Sequence, residues 1–307
     1  MPILLSLVIP AKDKNDPKLA ELLRSIEAQD FPKDQMEVLV ITEGTSESAK
    51  AIGIRQAKGE IIGILASDNE LTFNSFLSDS IKHFPVIDAS WPLRYHYSKS
   101  DDVLNRYFAL IGGNDVLCYH MNKNDRYDFL QDISGEDFSN VPGPISNRYS
   151  SIGDNGFFVK KELIEKTDLD NYYHIDNAWE AVNGKKASGI QCSIWHKTGG
   201  NIFSFFAKRY RYGLQHAFNK NRRWHLVDFR QPRDIWKLAL FILFSLTLLE
   251  PLSLSIRGYL KIRDKAWFMH PLVCLVTVLL YAVLVTHLIA RRLKSRLLSA
   301  LTVAQRA

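Results

Sequence analysis

The stretch from Ala49 to Glu70, AKAIGIRQAKGEIIGILASDNE, constrains the fold more than any other part of the chain. A helix of small residues leads through Lys58-Gly59 into a hydrophobic strand that stops abruptly in acidic and amide side chains. Ile61 to Leu65 is short, apolar and β-branched, the pattern of a strand buried on both faces. Ser67, Asp68, Asn69 and Glu70 then emerge at its carboxyl end, where open α/β sheets bind ligands. A carboxylate in that position can hold Mg2+ or Mn2+ through hard oxygen ligation. The competing reading of the same residues is a buried strand followed by a polar turn.

The preceding residues repeat the pattern. Leu4 to Pro10 is a second buried-strand candidate, followed by the polar loop Ala11 to Pro17. Leu19, Leu22, Leu23 and Ile26 then fall on one helical face. Phe31-Pro32 ends that helix, and Met36 to Ile41 reads as a strand before the turn Thr42, Glu43, Gly44, Thr45, Ser46. Strand, helix, strand, helix, strand within 70 residues predicts a parallel sheet with right-handed crossovers and ligand loops along one edge.

Taken in order, LSLVIPAKD, VLVITEGTS, AKAIGIRQAKGEIIGIL and ASDNE resemble the amino-terminal half of family 2 glycosyltransferases, inverting enzymes of the GT-A fold. The resemblance implies a Rossmann-like, mostly parallel sheet and a nucleotide-sugar donor. It implies donor contacts at Pro10, Asp13, Glu43, Lys50, Ser67 and Asp68, with Asp13 and Glu43 near the nucleobase. Asp68 stands in the place of the family's metal-diphosphate acid, with Glu70 a helper and Mg2+ or Mn2+ as cofactor. Thr42, Lys50, Ala51 and Ala66 depart from the residues common at those places. A carboxylate at Glu43 suits either uracil or guanine, because it accepts their imide and amino N–H groups.

Farther on, Gly153, Asp154, Asn155 and Gly156 followed by FFVKKELI resemble the family's acceptor-side loop, so Gly153, Asn155 and Gly156 are acceptor-binding candidates. Asp176, after Tyr172-Tyr173-His174-Ile175 and before a helix bearing Trp179 and Val182, fits the position of the family's catalytic base. A carboxylate there would take the proton of an acceptor hydroxyl as it attacks the sugar. Its alternative role is a helix N-cap. His196, after the strand-like Gly189 to Trp195, fits a histidine that completes the metal site. His196 is equally compatible with a packed imidazole beside Trp195.

The last third is of a different character. Pro271 to Ala290 is uncharged for 20 residues, enough to cross a hydrocarbon core of about 30 Å at about 1.5 Å per residue. Leu238 to Ile256 carries only Glu250, and Glu250-Pro251 makes it either a kinked span or a helical pair in the interface. Residues 1–203 hold 21 Lys and Arg against 29 Asp and Glu, net −8; residues 204–307 hold 18 against 4, net +14. Phe203 to Trp224 interleaves aromatics with Lys208, Arg209, Arg211, Arg222 and Arg223, as expected of a segment on anionic lipid or beside a lipid-linked phosphate. Nucleic acid is disfavoured as partner by the adjacent apolar runs. Lys220 to Trp224 keeps only the Arg-Trp of the Gln-x-x-Arg-Trp motif of the family's polymer synthases, which favours transfer of a single sugar.

The expected layout is a cytoplasmic catalytic domain over 1–203, a basic-aromatic interface segment over 204–234, and a membrane region over 235–307 with apolar helices near 235–256 and 271–290. Arg291, Arg292, Lys294 and Arg296 favour a cytoplasmic carboxyl terminus, although Arg257, Lys261, Arg263 and Lys265 would then face outward against the positive-inside tendency. No signal peptide is expected, since Met1 leads almost directly into a core strand. Cys118, Cys192 and Cys274 show no metal-ligand spacing and suit a reducing compartment. The expected protein is a membrane-bound inverting glycosyltransferase, multi-pass or partly interfacial, acting on a lipid-linked or membrane-proximal glycan acceptor. The alternatives are a polyprenyl-phosphate sugar synthase, whose acceptor is the lipid phosphate, and a nucleotide-sugar-binding scaffold with a degenerate site. A Rossmann dehydrogenase or methyltransferase is disfavoured because PAKDKNDP has no glycine-rich turn.

Overall fold

A computed structural model of the chain describes residues 2–124, 126–133, 152–198, 201–218 and 226–304. Strand β1 (Leu5–Pro10) is buried along its whole length. Helix α1 (Pro17–Glu27) starts on Asp16, whose carboxylate accepts the Lys18 N–H at 2.9 Å, with Pro17 in the first turn where its missing N–H costs nothing. Leu19, Leu22 and Ile26 form its buried face, and Leu23, the fourth position of the expected face, is half-buried. Strand β2 (Met36–Ile41) and helix α2 (Ser46–Gln56) follow, the helix opening in a capping box between Thr45 and Ser48. Then come β3 (Ile61–Ile64), β4 (Asn69–Leu71), α3 (Phe76–Ile81), β5 (Ala89–Tyr95), α4 (Val103–Ile111) and α5 (Val116–His120). Beyond them lie β6 (Phe157–Lys160), α6 (Lys161–Ile164), α7 (His174–Val182) and β7 (Ala187–His196).

The seven strands form one sheet in the order β2-β1-β3-β6-β5-β7-β4. The expected mostly parallel sheet is corrected to a mixed one. β1 runs parallel to β2 and β3, and β5 parallel to β7. β6 is antiparallel to both β3 and β5, and β4 is antiparallel to β7. β4 begins a few residues after β3 ends, and a parallel return needs a crossover of a dozen or more residues. Phe157, Phe158 and Val159 of β6 are wholly buried, so their composition is that of a parallel central strand.

Alternation along β1 divides the core. Leu5, Leu7 and Ile9 pack with Leu19 and Leu22 of α1 and with Phe76 and Leu77 of α3 on one face. Val8, Ile62 and Ile64 pack with Ile54 of α2 and Ala178 and Val182 of α7 on the other.

Four further helices complete the described chain: α8 (Ile202–Phe218), α9 (Pro232–Thr247), α10 (Leu249–Lys261) and α11 (Met269–Ala304). A third core joins them to α4 and α5 through Tyr107, Phe108 and Leu117 against Phe205, Phe241, Leu254 and Trp267. Among the described residues one helix, Lys265–Arg291, is long and apolar enough to cross a membrane. The run near 235–256 is two helices bent by 79°, which pass the same test only as a pair. The break falls at Leu248, held at φ 59°, rather than at Pro251. Pro251 lies in the first turn of α10, where a proline does not break a helix.

Candidate active site

Because β1 is flanked by β2 on one side and β3 on the other, the chain reverses its direction of travel across the sheet there, and the loops beyond these carboxyl ends frame a crevice. Pro10 is buried at the end of β1, and Asp13 is exposed in the loop beyond it, with one carboxylate oxygen accepting the Asn15 N–H at 2.9 Å. Glu43 is exposed just past β2. Ser67 and Asp68 are half-buried past β3.

The antiparallel pairing of β4 with β7 brings Asp68 to His196. Asn69 lies opposite His196 in register, the Lys197 N–H donates to the Asp68 carbonyl at 2.8 Å, and Asp68 Oδ1 stands 3.5 Å from His196 Nε2. Burial opposes ionisation of Asp68, yet His196, by charge and hydrogen bond, with the charges of Lys208 and Lys18, holds its carboxyl below the usual range. The pair is braced from beneath. Asn69 donates to Asn155 Oδ1 at 2.9 Å, Asn155 donates to the Tyr95 hydroxyl at 2.9 Å, and the Tyr95 ring lies 5.5 Å from that of His196. Arg126 covers the other face of this layer, its guanidinium 4.4 Å from the Tyr95 ring centre and bonded to the Asn155 carbonyl.

Glu70 goes elsewhere. Its carboxylate is ion-paired with Lys197, which also reaches Glu21 at 2.9 Å. An oxygen and an imidazole nitrogen converging at Asp68 and His196 suit Mg2+ or Mn2+, which leave further positions to phosphate oxygens and water. The residues therefore fit a divalent cation through two donors, with Glu70 committed to Lys197.

Lys50 is 1 % exposed, and its ammonium is held by Asp154 at 2.6 Å and Glu47 at 3.2 Å. Burial would lower its pKa, but the two carboxylates outweigh burial and raise it. Asp154 is correspondingly depressed: burial alone would raise it, and Lys50 and His174 override that. The second Glu47 oxygen accepts the His174 N–H at 2.8 Å. This network ties α2, the Gly153–Gly156 loop and the start of α7 together. Gly156 donates to the Ile64 carbonyl at 3.0 Å with φ +82°, a conformation that favours glycine. Asp176 is 4 % exposed in the first turn of α7, where an acid also favours the helix N-terminus; the N-cap is Tyr173.

α8 packs on α11. Its Gly213 packs on Leu284 and its Tyr210 hydroxyl meets His287 Nδ1 at 2.8 Å. Lys208 lies within the field of Asp68, and Tyr212 within that of Asp154, Lys12 and Lys50. Arg209 is spent structurally, on the Asn114 carbonyl at 2.5 Å and Asp115 at 3.5 Å. Arg222, Arg223 and the Arg-Trp pair lie outside the described residues.

Sequence reasoning gave no role to Asp154, Glu47, Tyr95 or Arg126. Glu47 and Lys50 do stand three apart on one helix, a readable pairing. The partnership with Asp154 depends on long-range folding and leaves no local mark.

No family model and no curated protein matches this chain. Among solved structures it is similar to residues 1–349 of TarS from S. aureus, at TM-score 0.47 and 14% identity over 86% of this chain and 82% of that one. It is also similar to the mannosyltransferase PcManGT of Pyrobaculum calidifontis, in complex with GDP-Man and Mn2+, at TM-score 0.46 and 15% identity over 91% and 89%.

Proposed function

We propose that this chain is a membrane-associated, family 2-like inverting glycosyltransferase. It moves a sugar from a UDP- or GDP-linked donor to a lipid-linked or membrane-proximal glycan acceptor. The observation that carries this reading is the Asp68–His196 pair, 3.5 Å apart at the sheet's switch point and within the field of Lys208 from the helix packed on α11. Asp68 and His196 would hold Mg2+ or Mn2+, which when bound neutralises charge on the diphosphate. Lys208 adds positive charge on the same side. The exposed carboxylates of Glu43 and Asp13 accept nucleobase N–H groups, and Pro10 and Ser67 line the donor loops. Lys50 serves the donor site indirectly, by fixing Asp154 and with it the loop of Gly153, Asn155 and Gly156 that faces the acceptor. Asp176 takes the acceptor proton. The exposed apolar side chains of α9 to α11 seat the protein in the membrane, with the catalytic region, residues 1–203, on the cytoplasmic side and 204–234 at the interface.

The burial of Asp176, at 4 % exposure, favours a second reading in which the acceptor is a polyprenyl phosphate. That oxygen is already ionised, and no base is needed.

The test is release of nucleoside diphosphate by the detergent-purified protein from UDP- and GDP-sugars, with Mn2+ or Mg2+ and membrane lipid extract. Asp68→Ala should lower turnover about 100-fold or more, the scale of losing one charge-stabilising group. Loss in Asp176→Ala as well supports a hydroxyl acceptor; retained activity supports the phosphate. Wild-type protein that neither turns over nor binds any of these donors would overturn the enzyme reading in favour of a scaffold.

A further inference from the structure

A second cluster of donor atoms lies far along the chain from Asp68, where α5 meets α10 and α11. His120 closes α5, Glu250 lies in the first turn of α10, and His270 and Cys274 stand four apart on one face of α11. Cys274 Sγ is 3.6 Å from His270 Nε2 and 3.8 Å from His120 Nε2. One donor atom from each of these three residues lies within 4.8 Å of the other two. Glu250 Oε2 is 3.7 Å from His120 Nε2; it is a buried carboxylate oxygen that accepts no hydrogen bond.

These separations have a chemical meaning. A tetrahedral centre with Zn–N of about 2.0–2.1 Å and Zn–S of about 2.3 Å has N···S edges of about 3.5 Å. The orientation of the ligands is also prepared. The Tyr107 hydroxyl meets His270 Nδ1 at 2.7 Å, which directs Nε2 of that ring toward the sulfur, the outer-shell arrangement that metal-bound imidazoles use. The His120 and His270 rings stack at 5.6 Å and 21°. Ionisable groups against a membrane-spanning helix are costly and mark function.

The geometry points to a Zn2+ site formed by His120, His270 and Cys274, beside the carboxylate of Glu250. Two imidazoles and one thiolate suit the borderline softness of zinc, and binding releases the Cys274 thiol proton to solvent. The ion clamps α5 to α11. The sequence hides this site because its ligands come from two helices, with His120 154 positions before Cys274, and share no short spacing beyond the i, i+4 pair.

The test uses the full chain in detergent, purified without a polyhistidine tag, stripped by chelator and reloaded. One zinc per chain is expected by elemental analysis, with a rise in Tm of at least about 3 °C on reloading. Co2+ in place of zinc should give thiolate charge-transfer absorption and tetrahedral d–d bands in wild type, a readout that needs no variant. Cys274→Ser and His270→Gln should lose the metal and the chelator sensitivity. Stripped wild type that takes up no zinc and shows no cobalt thiolate band would overturn the site. So would zinc retained undiminished in Cys274→Ser.

Discussion

Lys50, a charged residue beside the candidate site, acts structurally through its two ion pairs. Its ammonium, 2.6 Å from Asp154, is removed from water, so truncation leaves the Asp154 carboxylate unpaired. Loss of a partner from a fully buried pair costs about 3–5 kcal/mol; with the Asp154 side chain 31 % exposed, Lys50→Ala should cost about 2–3 kcal/mol, read from denaturant or thermal unfolding in detergent. The pH dependence has a definite sign. The folded pKa of Asp154 is depressed, so its stabilisation is fully present above the unfolded value of about 3.9 and fades as pH falls through it toward the folded value. The stability gap between wild type and Asp154→Asn should therefore be flat above about pH 5 and narrow on acidification below about pH 4. A gap that widened on acidification would contradict the pairing. The type of each residue was legible in the sequence, and the carboxylates near a strand end suggested a ligand site. That Lys50 is fully buried, or that Glu70 is ion-paired with Lys197, was not, because each depends on a partner at least 104 or 127 positions distant or on cross-strand register.

Elements were legible where local pattern and tertiary role coincide. β2 spans the very residues read as a strand before the turn, and α1 buries three of the four positions its periodicity selects, leaving Leu23 half-buried. The antiparallel β4 and β6 were not legible, since direction leaves no trace in a short, fully buried run. The break between α9 and α10 was misplaced for a related reason. Proline marks a helix start as readily as a helix end, and the actual turn is a leucine forced to positive φ. Close packing, however, gives α10 a sharp sequence requirement at Gly258. A Cβ there would lie 2.2 Å from the indole of Trp267, which is wholly buried and cannot swing away. Gly258→Ala should destabilise the protein by about 1–3 kcal/mol through overpacking, although alanine is the better helix former. A melting temperature equal to wild type would show that the α10 contact with the Lys265–Phe268 turn is looser than its geometry implies.

At the scale of the whole molecule, the same helices face two ways. Their inner side is a protein core, where Phe241, Leu254, Trp267 and Cys274 meet α4 and α5. Their outer side leaves Trp236, Leu243, Leu246, Leu249, Leu279 and Val283 more than half exposed. Only 22% of the most apolar window of Lys265–Arg291 is buried, unlike the core helix of a soluble domain. A contiguous apolar surface of this kind calls for lipid or a partner, and the charge partition favours lipid, because the flanking segments are basic. The consequence is measurable at one residue. Leu279 is 53 % exposed and sits well inside the apolar helix, so Leu279→Arg should cost about 2.5–3.5 kcal/mol of insertion free energy while disturbing little of the protein core. In membranes washed at alkaline pH, wild type should remain in the pellet and Leu279→Arg should shift substantially to the supernatant. Because α8 joins this helix through Tyr210–His287 and its Lys208 acts electrostatically on Asp68, the displaced variant should, under the proposed function, also lose transfer to acceptor embedded in vesicles while still binding soluble nucleotide-sugar. Equal retention of both proteins in the pellet would mean that the helix lies against protein rather than lipid.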